Sequence, residues 1–229
     1  MTRPPACAGT FYEASAPGLH QQVHSLLEPD AIALPAIAIV CPHAGLMFSG
    51  SVAGAVYSRV RIPHTAILVG PNHTGQGPPL SVYPKGKWAI PGGFVSIAEG
   101  LAQSFLSLCA DAAPDHLAHQ YEHCLEVQLP FLFARRPDIQ ILPIVLGIRD
   151  LTSCLALGAA LVSASHPPLV SRPTPLLDLK IASHSTLFAL FRNATSTIRS
   201  RRTTSPCAAT PPRPRSCTPL GSWERRMPS

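Results

Sequence analysis

Two short, β-branched apolar runs constrain this chain more than anything else in it. Residues 36–40 (Ala-Ile-Ala-Ile-Val) and 65–69 (Thr-Ala-Ile-Leu-Val) are too short for core helices and lack alternating polar positions. Each therefore reads as a strand buried on both faces. Each also runs straight into a loop bearing a proline and a histidine: Cys41-Pro42-His43-Ala44-Gly45 after the first, Gly70-Pro71-Asn72-His73 after the second. Strands covered on both sides need helices between them, and the intervening sequence supplies helical spacing. Leu19, Val23, Leu26 and Leu27 predict a helix over 17–27, stopped by Pro29. Further helices are predicted over 49–60, 99–109, 119–133 and 151–163, with a third strand over 139–146 and a Gly/Pro-rich stretch before residue 99. Strands alternating with helices define an α/β fold with a largely parallel central sheet flanked by helices.

In an open α/β sheet, ligands gather in the crevice outside the carboxyl ends of the strands. Two imidazoles delivered there from neighbouring strands, His43 and His73, are placed to hold a divalent metal, and neutral His suits Fe, Cu or Zn. The plainer alternative is that each caps a turn or bonds a backbone carbonyl. A third cluster lies at 115–126. On a helix, His119, Glu122, His123 and Glu126 fall at i, i+3, i+4 and i+7 and share one face. Such a face can supply a metal ligand, a general acid or base, or the carboxylate that orients a ligating His; otherwise it is a solvated polar face. The neighbouring Leu125, Leu129 and Phe131 indicate that the segment also packs. The spacing is not that of H-E-x-x-H, and no G-x-S-x-G, P-loop or G-x-G-x-x-G occurs, which disfavours zincin proteases, hydrolase elbows and nucleotide cradles.

Charge divides the chain. The net charge of +6 averages two unlike parts: residues 1–165 hold 8 basic and 10 acidic residues, whereas 166–229 hold 10 basic and 2 acidic, with 10 of the 26 prolines. The basic balance thus belongs to the segment after 165, which lacks the interleaved aromatics used to stack single strands, so nucleic acid is not the expected partner. The longest apolar run, residues 31–41, is about half a membrane span and is broken by Pro35. Seven scattered cysteines without a C-x-x-C pair argue against a disulfide framework or a structural zinc site. The expectation is a cytoplasmic protein without membrane segments: an α/β domain over 1–165, and a Pro/Arg/Ser-rich tail over 166–229 that does not pack.

Taken together, these motifs resemble the Memo family, called AmmeMemoRadiSam system protein B in prokaryotes. The matching stretches are RPPACAGTFY at 3–12, PHAG with SG at 42–50, GPNH at 70–73, DHLAHQYEHCLEVQLPFL at 115–132 and ILPIVLG at 141–147. The resemblance covers roughly residues 3–165. It implies a fold similar to that of class III extradiol dioxygenases, which use non-haem iron, with His43 and His73 matching the family's metal-ligating histidines. Leu46 stands where the family usually has an aromatic, and Cys124 where Ser is usual. The family continues with motifs like SSDxSHY and ISMCGY, the latter carrying a further metal-ligating cysteine, and residues 166–229 show neither. Read one nucleotide earlier, however, the codons of residues 204–210 permit I-S-M-C-G-Y, as an altered reading frame would produce; Cys207 as translated is not that cysteine. The fold is therefore expected to be incomplete at its C-terminus.

Three functions follow from the resemblance. The first is a metal-dependent, dioxygenase-like redox protein in which His43 and His73 hold Fe or Cu and Glu122, His123 or Glu126 handle protons. The second is a non-enzymatic adaptor, and the third an inactive, truncated relic. In either of the first two, an unknown small molecule or a peptide occupies the strand-end cleft.

Overall fold

The computed structural model describes residues 1–147 and 150–165 and, beyond them, the backbone of strand Leu179–Ala182. The run at 65–69 forms β3 (Thr65–Pro71), buried as expected, whereas the run at 36–40 forms β2 (Ala38–Val40) at the end of the sheet order, where Ile39 is buried but Ile37 is exposed, so it is not the fully covered strand its sequence suggests. The other strands are β1 (Thr2–Arg3), β4 (Leu80–Val82), β5 (Lys87–Ile90), β6 (Gly93–Ile97), β7 (Ala113–Pro114), β8 (Gln140–Leu146) and β9 (Leu179–Ala182). The sheet runs β1-β5-β6-β8-β3-β9-β2, with β4 attached to β8 and β7 to β4. Only the β4–β8 and β5–β6 pairings are antiparallel among the described residues, so the sheet is largely parallel, as expected. The predicted tail over 166–229 lies outside the described residues except for β9, which takes a place inside the sheet between β3 and β2.

The helices are α1 (Ala16–Leu26), α2 (Leu46–Ser58), α3 (Glu99–Leu108), α4 (Leu117–Gln120), α5 (Leu129–Arg135) and α6 (Leu151–Ser165). Strand side chains alternate between two cores. Ala66 and Leu68 of β3 and Ile141 and Val145 of β8 pack with Leu19 and Val23 of α1, Ala53 and Tyr57 of α2, and Phe131 of α5. Ile67, Val69, Leu142 and Ile144 face the other way, onto Ala102 and Phe105 of α3 and Leu157 and Leu161 of α6. That period of two, apolar on both faces, is why these strands read as continuous runs. The result is three layers, helix–sheet–helix.

Two departures from the sequence reading matter. The Gly/Pro-rich stretch before residue 99 contains a hairpin, β5–β6, closed by Pro91-Gly92 with Gly92 at φ +91°. The single helix predicted over 119–133 is broken: α4 ends at Gln120, a 3-10 turn spans Glu126–Gln128, and α5 starts afresh at Leu129 with Pro130 in its first turn. Pro130 lacks the amide a helix interior needs, while a first turn tolerates it. Upstream, a carboxylate oxygen of Glu122 accepts the amide of Cys124 at 3.0 Å, diverting the backbone from helical bonding.

Candidate metal centre

Parallel strands deliver their following loops to one edge. Val40 of β2 and Val69 of β3 are both level with Ala182 of the intervening β9, so His43 and His73, three and four residues further on, emerge side by side. The His43 loop is held from three sides. The Gln128 side-chain amide donates to the Pro42 carbonyl (3.0 Å) and its oxygen accepts the Tyr57 hydroxyl (3.0 Å). The Ser49 hydroxyl donates to the Ala44 carbonyl, and the Leu46 amide donates to the Phe11 carbonyl at 2.7 Å. The Asn72 side chain pins the His73 loop: its oxygen accepts from the Thr74 hydroxyl and the Gly75 amide.

The break after α4 brings in the third arm. His123 reaches the same edge, with its ring centroid 4.5 Å from that of His73 and 5.9 Å from that of His43; His43 and His73 are 5.2 Å apart. Each offers one ring nitrogen, and these lie within 4.8 Å of one another. Glu122, almost wholly buried, grips His73 twice: one carboxylate oxygen accepts its amide at 2.6 Å and the other bonds Nδ1 at 2.8 Å. This fixes the imidazole with Nε2 left over, as outer carboxylates do for ligating histidines. Burial, with smaller contributions from His73 and His123, lowers the pKa of His43; burial likewise lowers that of His123, against the pull of Glu122. Both rings are thereby biased toward the neutral form that can donate a lone pair. Burial alone would raise the Glu122 carboxyl, but its bonds from His73 and Cys124 outweigh this and hold it below the usual range.

The predicted shared face of His119, Glu122, His123 and Glu126 does not exist, because the helix stops before Glu122. Glu122 and His123 join His43 and His73. His119 turns into the core against Tyr83 and Trp88, where burial and then Arg3 push its pKa down to about 3. Glu126 is also fully buried, but among the N-terminal residues: it accepts from Arg3 (2.5 Å), the Tyr12 hydroxyl (2.6 Å) and the amides of Ala6 and Cys7. A carboxylate so saturated, and away from the histidines, is placed to anchor the N-terminal segment rather than to move protons at the centre. No periodic pattern marks Gln128 or Phe11 in the sequence. Phe11, whose ring lies 4.6 Å from that of His123, forms one wall of a cavity of about 380 Å³. His43, His123, Met47 and Phe48 line it too, and Phe48 is 82% exposed at its rim.

Fold and site together define a three-layer α/β protein with a histidine cluster at its strand ends. The family model described as "Memo-like protein" matches residues 3–168. A MEMO1 family protein of Pyrococcus furiosus is 39% identical over 175 residues, covering 72% of this chain and 60% of that protein. One of Aquifex aeolicus is 48% identical over 147 residues (62% and 54%), and one of Pyrococcus abyssi 42% identical over 176 residues (72% and 60%). The chain belongs to the Memo family. It spans 54–60% of the length of these relatives.

Proposed function

We propose that the protein is a Memo-like, non-haem metal protein of dioxygenase-like redox type, in which His43, His73 and His123 hold an iron or copper ion. The convergence of three imidazoles, one of them oriented by a buried carboxylate, carries this reading. The donor set fits: imidazole nitrogen suits Fe and Cu as well as Zn. A bound Fe or Cu ion would supply the one-electron chemistry that such reactions need. The chain's own residues do the rest. Glu122 keeps the His73 ring oriented and its Nδ1 occupied. Phe11, Met47 and Phe48 give the neighbouring cavity apolar walls, which suit an uncharged small molecule better than a highly charged one. Glu126, anchored to Arg3, has no part in proton transfer. No helix among the described residues is long and apolar enough to cross a membrane; a cytoplasmic location is part of our proposal.

Metal analysis of the purified full-length chain tests the reading. About one equivalent of Fe or Cu, lost in both His43→Ala and His73→Ala while the unfolding temperature holds, is the expected result. A folded wild-type chain that takes up no metal on reconstitution would refute it and favour the adaptor.

A further inference from the structure

Cys124 follows His123 directly and is buried, 2% exposed. Its thiol donates to the Pro71 carbonyl at 3.2 Å, so it points at the end of β3, just before the His73 loop. Gly70 makes this possible: a Cβ there would sit 2.6 Å from the sulfur. The sulfur, a Glu122 carboxylate oxygen and a ring nitrogen of His73 lie within 4.8 Å of one another, a second group able to hold an ion. It shares His73 with the triple-histidine group but neither His43 nor His123.

We propose that His73, Glu122 and Cys124 form a second ion position, deeper than the triple-histidine one and selective for thiophilic divalent ions such as Zn²⁺, Co²⁺ and Cd²⁺. The inference rests on the preceding reading only in using His73 as a ligand. Charge separates the two positions. Three neutral imidazoles leave the full charge of a divalent ion on the ligand set, which suits the solvent-open edge where His73 is 42% exposed. At the deeper position Glu122 and Cys124 are both almost fully buried, and an uncompensated ion there would be costly. On binding, the Cys124 thiol gives its proton to solvent and its sulfur bonds the ion; carboxylate and thiolate together neutralise the two positive charges. Thiolate also adds the soft donor that discriminates Zn, Co and Cd from harder ions. An ion at the deeper position would take up the carboxylate that now bonds His73 Nδ1 and orients the ring for the triple-histidine position, so the two positions are alternatives.

Co²⁺ loading of the full-length chain, read by absorption, tests this. Wild type is expected to show sulfur-to-cobalt charge transfer in the near ultraviolet. The band should persist in His43→Ala, which dismantles only the triple-histidine group, and vanish in Cys124→Ser and His73→Ala. X-ray absorption of the zinc-loaded wild type, which needs no variant, should show one sulfur at about 2.3 Å. Cobalt bound through nitrogen and oxygen alone would overturn the second position and leave the histidine centre standing. A sulfur band surviving in Cys124→Ser would overturn it as well. A wild type that binds no metal would overturn both.

Discussion

Glu126→Gln is the sharpest test of how this fold is tied together. The substitution keeps the shape and removes the charge from a carboxylate that receives the Arg3 guanidinium, the Tyr12 hydroxyl and two backbone amides. Both side chains of the ion pair are out of solvent, at 2% and 0% exposure. What remains is a buried guanidinium whose other bonds, to the Pro4, His119 and Glu122 carbonyls, carry no compensating charge. Breaking a buried pair from one side costs about 3–5 kcal/mol. The lost hydrogen bonds are part of that figure, because coupled contacts do not add. At about 2–4 °C per kcal/mol for a chain of this size, the melting temperature should fall by roughly 10 °C. Urea unfolding suits the assay, being uncharged; Trp88, buried beneath the Arg3 guanidinium at 4.2 Å, is the local fluorophore. Burial alone would raise the Glu126 carboxyl, but Arg3, Tyr12 and the amides more than offset it and its pKa is lowered. Its stabilising contribution is therefore complete above the unfolded-state carboxyl value of about 4.3 and disappears as pH falls through the lower folded value. The gap between wild type and variant should be full at neutral pH and close in acid. Arg3→Met combined with Glu126→Met should recover only part of the loss: it leaves no unpaired charge, but the Tyr12 hydroxyl, the Ala6 and Cys7 amides and the His119 and Glu122 carbonyls lose these partners. A Glu126→Gln loss below about 1 kcal/mol at neutral pH, or a gap that does not narrow on acidification, would refute the argument.

Two further substitutions separate the centre from the scaffold. Glu122→Gln weakens the grip on His73 Nδ1, and reconstituted metal affinity should drop about 10–100-fold, as for other outer-shell carboxylates; equilibrium dialysis measures it. Gly54→Ala places a Cβ against the Leu26 backbone carbonyl where α1 crosses α2, so it should cost about 1–3 kcal/mol of unfolding free energy without changing metal content per folded molecule.

The parts of the fold legible in the sequence are those where a local pattern coincides with burial. The run at 65–69 became β3 and 139–146 became β8 within a residue, because strands covered on both faces leave unbroken apolar runs; the run at 36–40 became β2, a strand at the end of the sheet order with Ile39 buried and Ile37 exposed. The β5–β6 hairpin was also written there: Trp88, Ile90, Val95 and Ile97 recur at a period of two about Pro91-Gly92, a turn pair suited to φ > 0 at its second residue. Its glycines and prolines drew attention to the turn and away from the flanks. In 115–133 the helical spacing misled, since four polar residues with i, i+3, i+4, i+7 periodicity share a face only if the helix continues. Pro130 was the visible warning. Glu126's partner Arg3 lies 123 residues away, and no local pattern encodes such a pairing.

That long-range pair also bears on the chemistry. Two buried carboxylates only four residues apart would both attract a cation if left bare. Arg3 cancels Glu126 outright and at the same time holds the carbonyls of His119 and Glu122, fixing the backbone on either side of the helix break that delivers Glu122 and His123. The histidine cluster is therefore left facing one uncompensated charge, that of Glu122, which is already committed to His73. One negative charge beside the imidazoles biases the edge toward cations without saturating it. It also means that the stability lost in Glu126→Gln and the affinity lost in Glu122→Gln measure different things, although both residues sit on the same short segment: the first reports the anchoring of the N-terminal strand, the second the orientation of one imidazole.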